Sequence, residues 1–162
     1  MSTELKRGLE GVVVTESSLS DIDGDAGRLI YRGYAIEALA QGASYEETLY
    51  LLWHGELPDS GQLESFAAEM AGARTLDDGV HEIIRNLAEA DEEPMAALRT
   101  ITSALAAYDP DADADVSNTA ANDRKSRRIT AKMPTALAAF NRIRNGLDPV
   151  EPREDLGHAE NF

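Results

Sequence analysis

The chain has 162 residues, no Cys, and 30 Asp plus Glu against 15 Lys plus Arg, for a formal net charge of −15. That length suffices for one domain with a real hydrophobic core. The acid excess excludes a general nucleic-acid binder, which needs surplus Lys and Arg. The lack of Cys excludes disulfides, Cys-ligated zinc and a thiol nucleophile.

No run of about 18 apolar residues occurs, so no membrane-spanning helix is expected. The opening Met1-Ser2-Thr3-Glu4 does not read as a signal peptide. A soluble, cytoplasmic protein is the expectation. Lys occurs at Lys6, Lys125 and Lys132, and the remaining cations are Arg. Acid excess, scarce Lys and abundant Ala look like proteins of salt-saturated cytoplasms. In molar salt the Debye length shrinks to roughly 3 Å, which screens the self-repulsion of such a charge. An acidic mesophilic protein, or an acidic part of a more balanced one, fits the same numbers.

In chain order, residues 11–34 read as a β-hairpin. Gly11-Val-Val-Val-Thr15 is β-branched, as a strand should be. Asp21–Gly27 is turn material, and Arg28–Arg32 alternates as a return strand that Gly33 ends. Helices are expected over 35–147. A short one begins at Ile36 and stops at Gly42. Ser44 with Glu47 forms a capping box for the next, which ends at Gly55 with Pro58 beyond. A third runs over about 60–73 and a fourth over about 77–90.

Pro94 opens a fifth helix with a stripe of Met95, Leu98, Ile101, Thr102, Leu105 and Tyr108. Its other side is rich in Ala, so it is apolar nearly all round, as helices buried on several faces are. The sixth, about 119–145, starts with Arg124, Lys125, Arg127 and Arg128, contains Pro134, which should kink it, and is capped by Gly146. Over 152–162, Leu156, Ala159 and Phe162 begin an apolar helical face. Two turns of isolated helix are marginal in water. The expectation is the start of an interrupted helix, and hence an N-terminal piece of something longer. The fold class is mainly α, an N-terminal β-hairpin followed by about six helices.

Chemistry-bearing clusters are few. Asp21-x-Asp23-x-Asp25 and Asp109-x-Asp111-x-Asp113-x-Asp115 suggest calcium loops but lack the required Gly and Glu at positions six and twelve. They read as solvated acidic turns. His54, His81 and His158 show no zinc-ligand spacing and read as ordinary surface or helix-end histidines. The basic cluster 124–128 suits a phosphate or a solvated helix start. On residues alone no active site is visible, and no catalytic or metal-binding residue is assigned.

Several segments nevertheless follow in a distinctive order: Gly8-Leu-Glu-Gly11, Thr15-Glu-Ser-Ser18, Ile22-Asp-Gly24, Gly27-Arg-Leu-Ile-Tyr-Arg-Gly-Tyr34 and Leu51-Leu-Trp-His-Gly-Glu-Leu-Pro58. Pro94-Met95, Leu98-Arg-Thr100 and Gly157-His-Ala-Glu-Asn-Phe162 continue it. This pattern resembles the N-terminal part of the citrate synthase family, and the acidic composition resembles its haloarchaeal members. The resemblance covers nearly the whole chain.

It implies part of a large helical domain in a homodimeric acyltransferase of the tricarboxylic acid cycle. The implied enzyme condenses acetyl-CoA with oxaloacetate and water to citrate and CoA, with acetyl-CoA as substrate and no permanently bound cofactor. A carboxylate and two His residues carry that chemistry. The resemblance places them in the family's later half, so none is transferred, and this chain alone is expected to be inactive. Arg7, in Arg7-Gly8-Leu9-x-Gly11, matches an Arg that approaches the CoA phosphates in relatives. An N-terminal Arg without a ligand remains the alternative. Tyr31-Arg32-Gly33 reads as a structural strand end. The helices near 94–108 and 128–145 resemble those packed between subunits. Nucleic-acid and membrane partners are not expected. Two further readings stand beside this one: a 2-methylcitrate synthase, which uses propionyl-CoA, and a non-catalytic helical interaction module derived from the family.

Overall fold

The computed structural model describes Gly8, Val13 and residues 15–162. The chain divides into two compact units, Met1–Leu57 and Pro58–Phe162.

The first unit opens with an antiparallel three-stranded sheet of β1 (Ser20–Asp23), β2 (Arg28–Tyr31) and β3 (Tyr34–Ala35), in that order. Ser20 faces Tyr31, Asp23 faces Arg28, and Ile30 faces Ala35. The hairpin therefore forms, but its first strand is β1 rather than residues 11–15. Val13 and Thr15 belong to no strand, and residues 11, 12 and 14 lie outside the described residues. The turn sets the register. Asp23 Oδ1 accepts from the Ala26 N–H at 2.9 Å, and Gly27 takes a φ of 64°. This confines the turn to Gly24–Gly27 and draws Asp21 and Asp23 into a strand. Most of β1 is exposed, so its polar residues carry no burial cost there.

Arg32 and Gly33 connect β2 to β3 with φ of 47° and 89°. A two-residue connection with both residues at positive φ matches the twist of its strands. Arg32 is no glycine, and its side chain accounts for the strain. Its Nε and Nη2 donate to the Leu52 carbonyl at 3.2 and 2.9 Å, and Nη1 donates to Ser18 Oγ at 2.5 Å. Leu52 lies in the last turn of α2 (Tyr45–His54), where carbonyls have no partner within the helix. The strand end thus caps a helix. Before α2 comes α1 (Ile36–Gly42), which buries Leu39. The Ser44–Glu47 capping box of α2 forms as expected, and Gly55 ends the helix at a φ of 92°.

The second unit is helical: α3 (Ser60–Gly72), α4 (Asp78–Glu89), α5 (Pro94–Leu105), α6 (Thr119–Arg144) and α7 (His158–Asn161). Its core comes from lines of residues four apart. Val80, Ile84 and Ala88 lie on α4, and Ala97, Ile101 and Leu105 on α5. Ala136, Ala139 and Phe140 of α6 pack against them. Full burial of a residue such as Ile84 or Phe140 contributes roughly 1.5–3 kcal/mol. Alanine at four of these places lets the helix backbones approach closely.

Three expectations shift. Met95 is 75% exposed, and Ala97 takes its place on the buried line of α5. That helix ends at Leu105 and tightens into a 3₁₀ turn over Ala106–Tyr108. Asp109 is extended, at φ −88° and ψ 122°, because it precedes Pro110. The helix expected from residue 152 begins only at His158, since residues 154–156 form a turn. In contrast, α6 remains one helix through Pro134. It closes with Gly146 at φ 73°, where the Leu147 and Gly146 N–H groups donate to the Arg142 and Ile143 carbonyls.

Candidate functional site

The basic start of α6 and the acidic loop before it turn out to be partners. Arg124, Arg128 and Lys132 recur every four residues and share one face of α6. Arg128 donates through Nε and Nη2 to both Asp109 oxygens, at 2.9 and 2.7 Å, and through Nη2 to Asp111 at 2.6 Å. Arg124 grips Asp111 with a second fork, at 3.0 and 2.6 Å. Lys132 meets Asp77 at 3.1 Å. One turn round, Arg127 bonds Glu69 and Asp123 and lies 5.6 Å from the centre of the Phe66 ring.

The charges respond as this geometry demands. The Arg128 hydrogen bond holds the Asp109 carboxyl below the usual carboxylate range. Arg124, then Arg128, hold Asp111 well below it. Both guanidinium groups shift upward in turn. The calcium-loop and phosphate readings of these two segments therefore dissolve together: Asp109 and Asp111 occupy the guanidinium groups of Arg124 and Arg128. Asp23 in the first acidic stretch caps its own turn and lies 3.8 Å from Arg28. Among the described residues no group of three or more His, Asp or Glu could hold a metal ion.

The three histidines fall on separate elements. His54 ends α2 with its ring centre 4.2 Å from that of Tyr50. His81 lies on α4 beside an open polar cavity of about 430 Å³, with Asp78, Glu82, Arg85 and Glu151. His158 is buried at the start of α7. Arg7 lies outside the described residues.

A cleft of about 460 Å³ lies along α6 in the second unit. Apolar Leu137, Ala138, Phe140 and Phe162 line it, together with Arg142 and Arg144. A smaller cavity of about 220 Å³ also touches Ala138 and Phe162 and is lined by Thr135. The Thr135 hydroxyl is buried with no hydrogen-bond partner. Two arginines with structural work escaped the sequence reading. Arg32 was read only as a strand end, and Arg74 was not singled out at all. Positive φ before a glycine is a weak signal for the first. A lone basic residue between two helices is no signal for the second.

A mainly helical chain with a small N-terminal sheet and clefts along its helices is the class that fold and geometry define. The family model described as citrate synthase, C-terminal domain, matches residues 8–162, and the chain belongs to the citrate synthase family. It is 62% identical to the citrate synthase of Haloferax volcanii, over 100% of this chain and 43% of that protein. It is 38% identical to the 2-methylcitrate synthase of Mycobacterium tuberculosis, over 98% of this chain and 39% of that one. The crystal structure of citrate synthase from Pyrobaculum aerophilum superposes with a TM-score of 0.88 at 41% identity, over 95% of this chain and 40% of that one. The chain thus spans about two fifths of the length of these relatives.

Proposed function

We propose that these residues form the N-terminal part of a citrate synthase subunit that condenses acetyl-CoA with oxaloacetate and water to citrate and free CoA. The observation that carries this reading is the 62% identity along the entire chain to the Haloferax volcanii enzyme. In this reaction a carboxylate takes a methyl proton from acetyl-CoA, and the resulting enol carbon bonds to the ketone carbon of oxaloacetate. Water then cleaves the thioester and CoA leaves. No catalytic residue is assigned within residues 1–162, so turnover belongs to the whole subunit. Acetyl-CoA acts as a substrate, and no resident cofactor is required.

The same reading makes the enzyme a cytoplasmic homodimer joined through helices near 94–108 and 128–145. Exposed Met95 and Ile129, at 75% and 38%, support an apolar face seeking cover there. No helix among the described residues is long and apolar enough to cross a membrane. The charge of −15 fits a salt-rich cytoplasm. Arg7 approaches the CoA phosphates. The 38% identity to a 2-methylcitrate synthase keeps propionyl-CoA as a second acyl donor to be compared.

The test is thiol release by the protein whose reading frame contains these residues, in molar salt, with oxaloacetate and either acyl-CoA. Faster turnover of acetyl-CoA supports the proposal. Preference for propionyl-CoA replaces it with the second reading. A folded product that turns over neither overturns both and leaves the helical interaction module. Within the active enzyme, Arg7→Ala is expected to raise KM for acetyl-CoA severalfold with kcat nearly unchanged.

A further inference from the structure

Arg74 lies in the connection between α3 and α4, is 1% exposed, and heads the fully buried side chains by volume. No ion pair reaches it among the described residues. A guanidinium removed from water without a carboxylate is costly, and an apolar side chain would fill the same space without that cost. What the guanidinium does have is a pair of carbonyls. Its Nη1 donates to the Arg153 carbonyl at 2.6 Å and to the Leu156 carbonyl at 2.8 Å, across 79 and 82 residues of chain. Its Nε is buried without a hydrogen-bond partner.

The segment it grips has little else to fix its path. Among the described residues, no backbone–backbone hydrogen bond ties residues 149–156 to another element. Asn161 adds one link from the far side, its Oδ1 accepting from the Arg153 N–H at 2.7 Å. Beyond the grip come the Gly157 cap, buried His158 and Phe162, which lines the cleft along α6.

We propose that Arg74 is a positioning residue, a buried cationic clamp that fixes the chain between α6 and α7. The clamp joins a permanent charge to two backbone dipoles. The accepting carbonyls have no proton to gain or lose. Burial shields the link from salt. The inference rests on geometry alone and stands independently of the proposed reaction.

The test is amide exchange on the whole protein that contains these residues, carrying Arg74→Met or Arg74→Lys. Met fills the space but holds no carbonyl. Protection at the Arg153 and Asn161 amides is expected to fall about tenfold or more, while Ile84, Ile101 and Ala139 change less than about threefold. Lys keeps the charge and donors, and is expected to recover part of the loss. Unchanged protection at Arg153 and Asn161 in the Met variant would overturn the clamp. So would an equal loss throughout the core, which is what a mere filler of space would give. Should the Met variant not fold, the Lys variant decides. Selective loosening of Arg153 and Asn161 supports the clamp, and wild-type protection there or a uniform loss contradicts it.

Discussion

The second unit contains two long connections, residues 109–118 before α6 and residues 145–157 after it, and arginines hold both. The first is held by ion pairs, Arg124 and Arg128 on the carboxylates of Asp109 and Asp111, whose side chains are partly buried. The second is gripped from inside, by buried Arg74 on two backbone carbonyls. The difference follows from solvent. In a chain of charge −15, carboxylates are plentiful, and the half-exposed guanidinium of Arg124 keeps one side of this network in water. In the interior a second charge would need desolvation too, and neutral carbonyls that already lack partners serve instead. The first connection should therefore respond to acid more than the second, whose depressed carboxylate, Asp155, pairs with Arg153 in the open.

The largest effect comes from breaking what both connections rest on. Ile101 is 1% exposed in the core of α4, α5 and α6. Ile101→Ala is expected to cost about 2–5 kcal/mol in urea unfolding and to release both connections together. Arg128→Met strikes only the first. It leaves Asp109 without its bidentate partner and should cost about 1–2 kcal/mol. In a cycle with Asp109→Asn the two changes should be clearly non-additive.

A smaller effect is expected where the first connection begins. A Cβ on Gly79 would collide with the hydroxyl and ring of Tyr108. Gly79→Ala should cost about 1 kcal/mol, because Tyr108 must swing outward. With Tyr108→Ala already in place, the same change should become neutral or favourable, since Ala suits a helix better than Gly. The smallest effect is predicted for Asp155→Asn. The Arg153–Asp155 pair is about two-thirds exposed on both sides, 64% and 65%, and water and salt already screen it. Thermal unfolding should show no measurable shift in Tm.

The helices were largely legible because their signals are local. Ser44 with Glu47, Pro94 at its helix start, and Gly55 and Gly146 beyond their helix ends are read within a few residues of where they act. The hairpin was legible in kind but displaced in position. A run of Val at 12–14 outweighed Asp21 and Asp23 on propensity, yet an exposed edge strand asks little of its side chains. The helix expected over 152–162 starts later, at His158, because carbonyls at Arg153 and Leu156 are committed to Arg74, a partner 79 or more residues away. The acidic loop and the basic helix start were both noticed, as separate candidates. That they neutralise each other is a tertiary fact that spacing alone does not carry. The ordered motifs from Gly8 to Pro58 did carry the family, and the match over residues 8–162 bears this out.

The contrast between the two connections is tested most directly by amide exchange on the unsubstituted chain as pH is lowered. Asp109 and Asp111 are depressed in the folded state, so their contribution is complete above the unfolded value of about 4 and fades as pH falls through the folded values. The Arg74 link ends on two backbone carbonyls, which carry no titratable proton. The account predicts that below about pH 4 the amides of Asp111 and Ala112 lose protection while those of Arg153 and Asn161 keep theirs. Simultaneous release of both connections, or earlier release at Arg153 and Asn161, would contradict it.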